Sequence, residues 1–225
     1  MFEDCAEARR INSDLAILMG DDNSYYEKFS DGTVINIQSK LPFDIPNSWE
    51  WTNLSFLALK EIKRGKTPRY VEKSNILVFA QKCNLKKGGI DYGLSQYLDE
   101  TILLKYDKAE YLHRGDIVIN STGTGTLGRV GYINTESDLP IVTDSHITTI
   151  RVTTYIRSDY VYIFLKAVQP LLENSGEGST NQKELKPYTL KNIIVPVPPL
   201  EEQIRISQCV FRSNKFISHI ESSLS

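Results

Sequence analysis

The stretch that most constrains the fold is Gly115 to Asn134, Gly-Asp-Ile-Val-Ile-Asn-Ser-Thr-Gly-Thr-Gly-Thr-Leu-Gly-Arg-Val-Gly-Tyr-Ile-Asn. Ile117 and Ile119 lie two apart in an extended run, three glycines interrupt it, and Val130, Tyr132 and Ile133 resume an apolar pattern. Gly123-x-Gly125-x-x-Gly128 has the spacing of a dinucleotide-binding fingerprint. That fingerprint works only where the glycines open a helix whose N-terminus meets a pyrophosphate. In this chain the glycines lead into Arg129-Val-Gly-Tyr-Ile-Asn134, with β-formers, a further glycine and no helical period. The stretch therefore reads as strand, glycine-rich tip, strand. A small nucleotide-binding enzyme would require a helix after Gly128.

The rest of the chain supplies a core for such a hairpin. Its 225 residues suffice for one or two domains, with no apolar run long enough to span a bilayer. Cys5, Cys83 and Cys209 are odd in number and far apart, so they suggest neither a disulfide framework nor a zinc site, and a reducing cytoplasm is the simplest setting. The net charge of −2 hides an asymmetry. Residues 1–31 carry eight acids against three bases, and residues 60–90 carry nine bases against two acids. One face can thus meet phosphates while another avoids them, although a solvated lysine-rich surface has the same composition.

In order, residues 3–19 carry Ala8, Ile11, Leu15 and Leu18 at helical spacing, with Gly20–Ser24 as a stop signal. Residues 25–42 read as a linker holding a short extended piece at 34–37. Trp49 and Trp51 open the main domain, and Ile76–Ala80 reads as a buried strand. Residues 146–152 read as a half-buried strand. Val161, Phe164, Leu165, Val168 and Leu172 form the stripe of one helix from Ser158. After Pro196, Pro198 and Pro199, a last helix starts at Leu200. Its apolar positions Ile206, Val210, Ile217, Ile220 and Leu224 make a narrow, coiled-coil-like seam. The expected fold is α/β (α+β): one mixed domain over 43–199, flanked by a helix in 1–24 with a 25–42 linker and by a helix over 200–225.

No catalytic or metal constellation emerges. His113, His146 and His219 have no metal-ligand spacing. Asp144-Ser-His146 holds the letters of a triad, but neighbours on a strand point to opposite faces. What recurs is glycine with short hydroxyls, amides and nearby cations. One loop holds Ser121, Thr122, Thr124, Thr126 and Arg129. A second holds Ser179, Thr180, Asn181 and Gln182, with Lys183 and Lys186. Such groups bond phosphate oxygens and base edges, so together with Lys82 they are the candidate DNA contacts. Turn geometry alone would also use the threonines, and His146 reads more simply as a satisfied strand histidine than as a base reader.

Six stretches resemble the specificity (S) subunits of type I restriction–modification systems, in their target recognition domains. They are Leu41-Pro-Phe-Asp-Ile-Pro-Asn-Ser-Trp-Glu-Trp51, Gly65-Lys-Thr-Pro68, Gly115 to Arg129, Asp144-Ser-His-Ile147 to Arg151, Ser179-Thr-Asn-Gln-Lys-Glu-Leu185 and Pro198-Pro-Leu-Glu-Glu-Gln-Ile204. They occur in the family's order over about residues 41–210. The resemblance implies a non-catalytic, cytoplasmic chain that reads one half of a split site in double-stranded DNA. It implies partner modification subunits that methylate adenine with S-adenosylmethionine and a partner restriction subunit that uses ATP and Mg, so the chain itself is expected to bind no cofactor or metal. The helix from Leu200 would be a spacer helix, with Ile206, Val210, Ile217, Ile220 and Leu224 facing a partner. A full S subunit carries two recognition domains, and this chain has room for one. It would be a half-subunit that homodimerises, a truncated copy or an excised piece. The alternative is a non-DNA interaction protein, or a degenerate S fragment that binds the modification subunit through its helices.

Overall fold

Two hydrophobic cores lie on either side of one buried strand, β9 (Ile117–Asn120), every residue of which is buried. Ile117 and Ile119 face a larger core with Leu54, Val161 and Leu165, while Val118 faces a smaller one with Phe79, Ile133 and Ile147. The structure, a computed structural model, describes residues 15–29, 31–178 and 183–224.

The opening stretch forms a hairpin in which β9 pairs antiparallel with β10 (Val130–Tyr132). On its other side β9 pairs antiparallel with β12 (Ile147–Ile150), which pairs with β5 (Lys63–Arg64). A second four-stranded sheet runs β11 (Ile141–Thr143), β7 (Leu77–Phe79), β8 (Gln96–Leu98), β6 (Tyr70–Val71), with β11 and β7 parallel. Its core comprises Ile76, Val78, Leu98, Tyr106 and Val142. β4 (Glu50–Asn53) pairs with β13 (Ile194–Val197), setting Trp51 opposite Pro196; the proline is tolerated in this two-stranded ladder because β13 has one free edge. Helices α1 (Leu54–Leu57), α2 (Ser158–Ala167), α3 (Gln169–Asn174) and α4 (Pro187–Lys191) complete the domain, and α5 (Leu200–Leu224) leaves it. The mixed α+β class is as expected.

Four expectations change. Leu15–Met19 is not the end of a helix but β1, paired antiparallel with β2 (Tyr25–Phe29), which pairs in turn with β3 (Val34–Asn36). The supposed helix stop is the hairpin turn: the Gly20 N–H donates to Ser24 O, and Asp22 accepts from the Ser24 N–H and the Tyr26 hydroxyl. Glycine and short acids serve both purposes, and the β-formers of Tyr25–Phe29 decide between them. Residues 3–14 of that expected helix lie outside the described residues. Half of the 25–42 linker is thus sheet, with Ile37 buried beneath it. The stripe from Val161 to Leu172 is split between α2 and α3, because Pro170 lacks an N–H and its ring opposes the Lys166 carbonyl. Asp144–His146 form a turn rather than part of a strand, and the strand after it is buried on both faces.

The start of α5 is docked and its end is exposed. Glu202 accepts from the Trp49 indole at 2.9 Å; Gln203 caps the Arg157 N–H and donates to Pro198 O; Ser207 donates to Asp159. Ile206 packs on the larger core and Val210 is half-buried. From Phe211 to Ser223 every residue is exposed, including Phe216 at 63%, Ile217 at 53% and Ile220 at 58%. The seam therefore divides into a domain-facing part and an open part, and the side chain of Leu224 lies outside the described residues. No second long helix accompanies α5 among the described residues, so a paired spacer is not seen.

Gly128 is where the hairpin tip meets α3. Its φ is +76°, and a Cβ there would stand 2.5 Å from the Glu173 nitrogen and 2.8 Å from the Leu172 carbonyl carbon. Gly128→Ala should cost about 2 kcal/mol, from left-handed strain and displaced backbone. The denaturant midpoint reads this directly, and an unchanged midpoint would refute the close approach.

Candidate nucleic-acid interface

The tip between β9 and β10 is held in place by side chains from the smaller core. Asn84 donates to Asn120 Oδ1 at 3.0 Å and to Arg129 O at 3.1 Å, and Asn120 donates to Gln81 O. The Gln81 amide donates to the Thr122 carbonyl and, at 3.0 Å, to its hydroxyl. Gly123, with φ +91°, leaves room for this: a Cβ would lie 2.6 Å from Thr126 Oγ1 and 3.2 Å from the Gln81 amide. The glycine pattern thus shapes a strand-to-strand turn, as expected, and no helix follows Gly128.

The candidate contacts among the described residues now have a place. Lys82 is exposed in a short 3₁₀ turn, Gln81–Cys83, at the exit of β7. Thr124 is exposed at the crest of the tip. Thr122 is half-buried and hydrogen-bonded to His146 Nδ1 at 2.8 Å. The Thr126 hydroxyl is spent inside the turn on Thr122 O and Gly123 O, which is a turn-shaping role. Ser121 is a correction: it is fully buried, its hydroxyl 2.6 Å from that of Thr148, and it cannot reach a duplex. Arg129 is half-buried and donates to Asn84 O at 2.8 Å and Gly125 O at 3.3 Å, which straps the tip to the strand exit and leaves its remaining donors without a partner among the described residues. Ser179, Thr180, Asn181 and Gln182 lie outside the described residues.

The stems of their loop are described, and they stand beside the first tip. Glu184 bridges both Thr122 and Glu177, and the Leu185 N–H donates to Ser121 O at 2.8 Å. Lys183 is exposed at that stem, whereas Lys186 is paired with Glu177. Glu184 also pairs with Arg64, which brings β5 to the same surface. Gln81, Lys82, Thr122, Thr124, His146 and Lys183 therefore share one neighbourhood. Gln81 carried no sequence signal of its own, and Arg64 only that of one base among the nine of residues 60–90. His146 would have stood out once its turn was separated from the strand after it.

The basic segment is less free than its composition implied. Lys63 and Lys66 both pair with Glu110, Arg69 pairs with Asp99, and Lys60 donates to Ala109 O at 2.6 Å. Burial and the nearby Arg151 hold the Lys60 ammonium down at about 8. Among the described residues, Lys73, Lys82, Lys86 and Lys87 have no ion-pair partner. Burial raises the Asp144 carboxyl, against the lowering effect of the His146 N–H that it accepts at 2.9 Å. Burial likewise raises the Cys83 thiol, so this cysteine is an inert core residue. The described residues contain no cluster fit for a metal ion and no helix long and apolar enough to cross a membrane.

Comparison with solved structures shows the same fold. A chain from a study of assembly and conformational transition in a type I R-M system aligns at TM-score 0.63 and 19% identity, over 81% of this chain and 42% of its own. The HsdS subunit of Thermoanaerobacter tengcongensis aligns at 0.61 and 19%, over 82% and 42%. A type I system S subunit from M. genitalium aligns at 0.51 and 14%, over 80% and 43%. This chain thus spans less than half the length of each. No curated protein matches it. Residues 53–223, well over half of the chain, match the family described as type I restriction modification DNA specificity domain, and the chain belongs to that family as a target recognition domain of the S-subunit type.

Proposed function

We propose that this chain recognises a specific half of a split site in double-stranded DNA for a type I restriction–modification system. The observation that carries the reading is the pinned, glycine-shaped tip, set beside Lys82, His146 and the stems of a second hydroxyl-rich loop. Rigid polar loops with exposed cations are what groove readout and phosphate positioning require. Thr124, Arg129, Lys82 and Lys183 are the described residues proposed to face the duplex, with Thr122 behind them, and the sequence of residues 179–182 offers further hydroxyls and amides of the same kind.

The exposed half of α5 supports a partner role. Some 25 residues long, the helix reaches about 37 Å, and its open apolar end is suited to another helix. On this reading it pairs with a spacer helix of a second recognition domain, in the same subunit or in a second copy. A homodimer would read a palindromic split site whose spacing follows helix length. Adenine methylation with S-adenosylmethionine, on a flipped-out base, and DNA cleavage driven by ATP would be done by the modification and restriction subunits in the cytoplasm.

Selection of bound duplexes from a randomised pool, with and without the modification subunit, tests this. A split motif is expected, palindromic if the chain dimerises. Stable association with the modification subunit and no motif under either condition would replace the DNA reading with that of an interaction fragment.

A further inference from the structure

His146 stands in the turn between β11 and β12, exposed and at the rim of the tip, and among the described residues its ring is held on one side only. The holding group is the Thr122 hydroxyl, 2.8 Å from Nδ1. Gln81 bears on which of the two atoms donates. The Gln81 side chain meets the Thr122 carbonyl, so the atom there must be the amide nitrogen, and the same nitrogen donates to Thr122 Oγ1 at 3.0 Å. Thr122 Oγ1 is thus already an acceptor, and the described residues offer its own hydrogen no acceptor besides His146 Nδ1. Donation to Nδ1 gives that hydrogen a partner within the protein, and a neutral imidazole that accepts at Nδ1 carries its proton on Nε2.

We infer that Gln81 and Thr122 lock His146 as the Nε2–H tautomer, so that it presents a fixed hydrogen-bond donor to an acceptor on a base edge. The inference rests on the DNA-reading function proposed above. In the major groove guanine offers N7 and O6, adenine N7 and thymine O4, whereas cytosine offers only its amino donor. A locked donor therefore accepts the first three and rejects cytosine. A freely rotating amide or an unlocked imidazole would discriminate less, since either can present donor or acceptor. His146 is then a specificity-determining residue, and Thr122 and Gln81 are positioning residues that act through it. Gly123 lies against the same amide, where an added Cβ would stand 3.2 Å from Gln81 Oε1.

Two measurements test it on the full chain. Long-range proton–nitrogen NMR of the free protein should show His146 as the Nε2–H tautomer; an Nδ1–H tautomer overturns the inference. Thr122→Val, close to isosteric and lacking the hydroxyl, should shift that ring to a tautomer mixture. The second measurement is selection from a randomised duplex pool. The wild type should exclude cytosine at one position of its motif, and His146→Ala should lower discrimination there by about five- to tenfold. His146→Gln should admit cytosine at the same position. Thr122→Val should relax that position as well, with no further loss when combined with His146→Ala, because the two act as one unit. A wild type that selects no motif refutes the DNA reading itself. A wild type with a motif that His146→Ala leaves unchanged, or weakens equally at every position, refutes only the role of His146.

Discussion

Asp116→Ala is expected to destabilise the domain by about 3–5 kcal/mol, the cost of leaving one partner of a buried ion pair unmatched. The Asp116 side chain is 1% exposed and that of Arg151 19%. The carboxylate accepts from Arg151 Nε and Nη2, both at 2.7 Å, and from the His113 N–H at 2.9 Å, while Arg151 Nη2 also reaches Tyr111 O. This clamp joins the residue before β9 to the residue after β12, and so fixes the two strands that lead to the tip and to His146. Without the carboxylate, Arg151 and the partly buried Lys60 would share one pocket with less negative charge, and Lys60 is already held at about 8 in part by Arg151. A loss of this size is a large part of the total stability of an ordinary domain. Arg151→Met in the Asp116→Ala background should recover part of it, since removing both charges avoids the orphaned one. Chemical denaturation followed by circular dichroism measures both variants. A loss below about 1 kcal/mol in the single variant would show that solvent already screens the pair.

How much of this was legible in the sequence depended on the range of the interaction that decided each point. The β9–β10 hairpin was legible because alternation and three glycines act within twenty residues. α5 was legible because prolines, acids in its first turn and a periodic seam all agree. At Leu15–Met19 the local pattern fitted a helix, and the deciding partner was the next strand. Apolar periodicity in a five-residue stretch does not choose between the two. The stripe through Val168 was a real stripe, but Pro170 divided it. For the candidate site, the tip was found and the use of its groups was not. Ser121 has the composition of a contact residue, yet Thr148, twenty-seven residues away, claims its hydroxyl. Arg129 is engaged by a carbonyl forty-five residues away, and Lys63 and Lys66 by Glu110. Side-chain chemistry lists what a residue is able to bond; only the fold shows which of those bonds are already made.

That distinction sets the expected salt dependence of DNA binding. Counting all nine bases of residues 60–90 would predict a very steep loss with salt, but five of them are engaged within the protein, Arg64 by Glu184 among them. On the proposed reading the phosphates fall instead to exposed lysines at the tip and the strand exit beside it, namely Lys82, Lys86, Lys87 and Lys183. Four phosphate contacts correspond to a slope of about −3.6 in log affinity against log salt, so that a rise from about 50 to about 200 mM weakens binding by roughly 150-fold. Lys82→Gln should reduce the slope by about one and weaken binding alike for every duplex sequence, since a phosphate contact positions without reading. Fluorescence anisotropy titrations of the selected duplex and of an unrelated one, across that salt range, give both numbers. A slope near zero would mean that the lysines lie off the duplex. A slope near that for nine contacts would mean that the ion pairs to Glu110, Glu184 and Asp99 open on binding, and DNA would then compete for cations that hold β5 and its neighbours in the free protein.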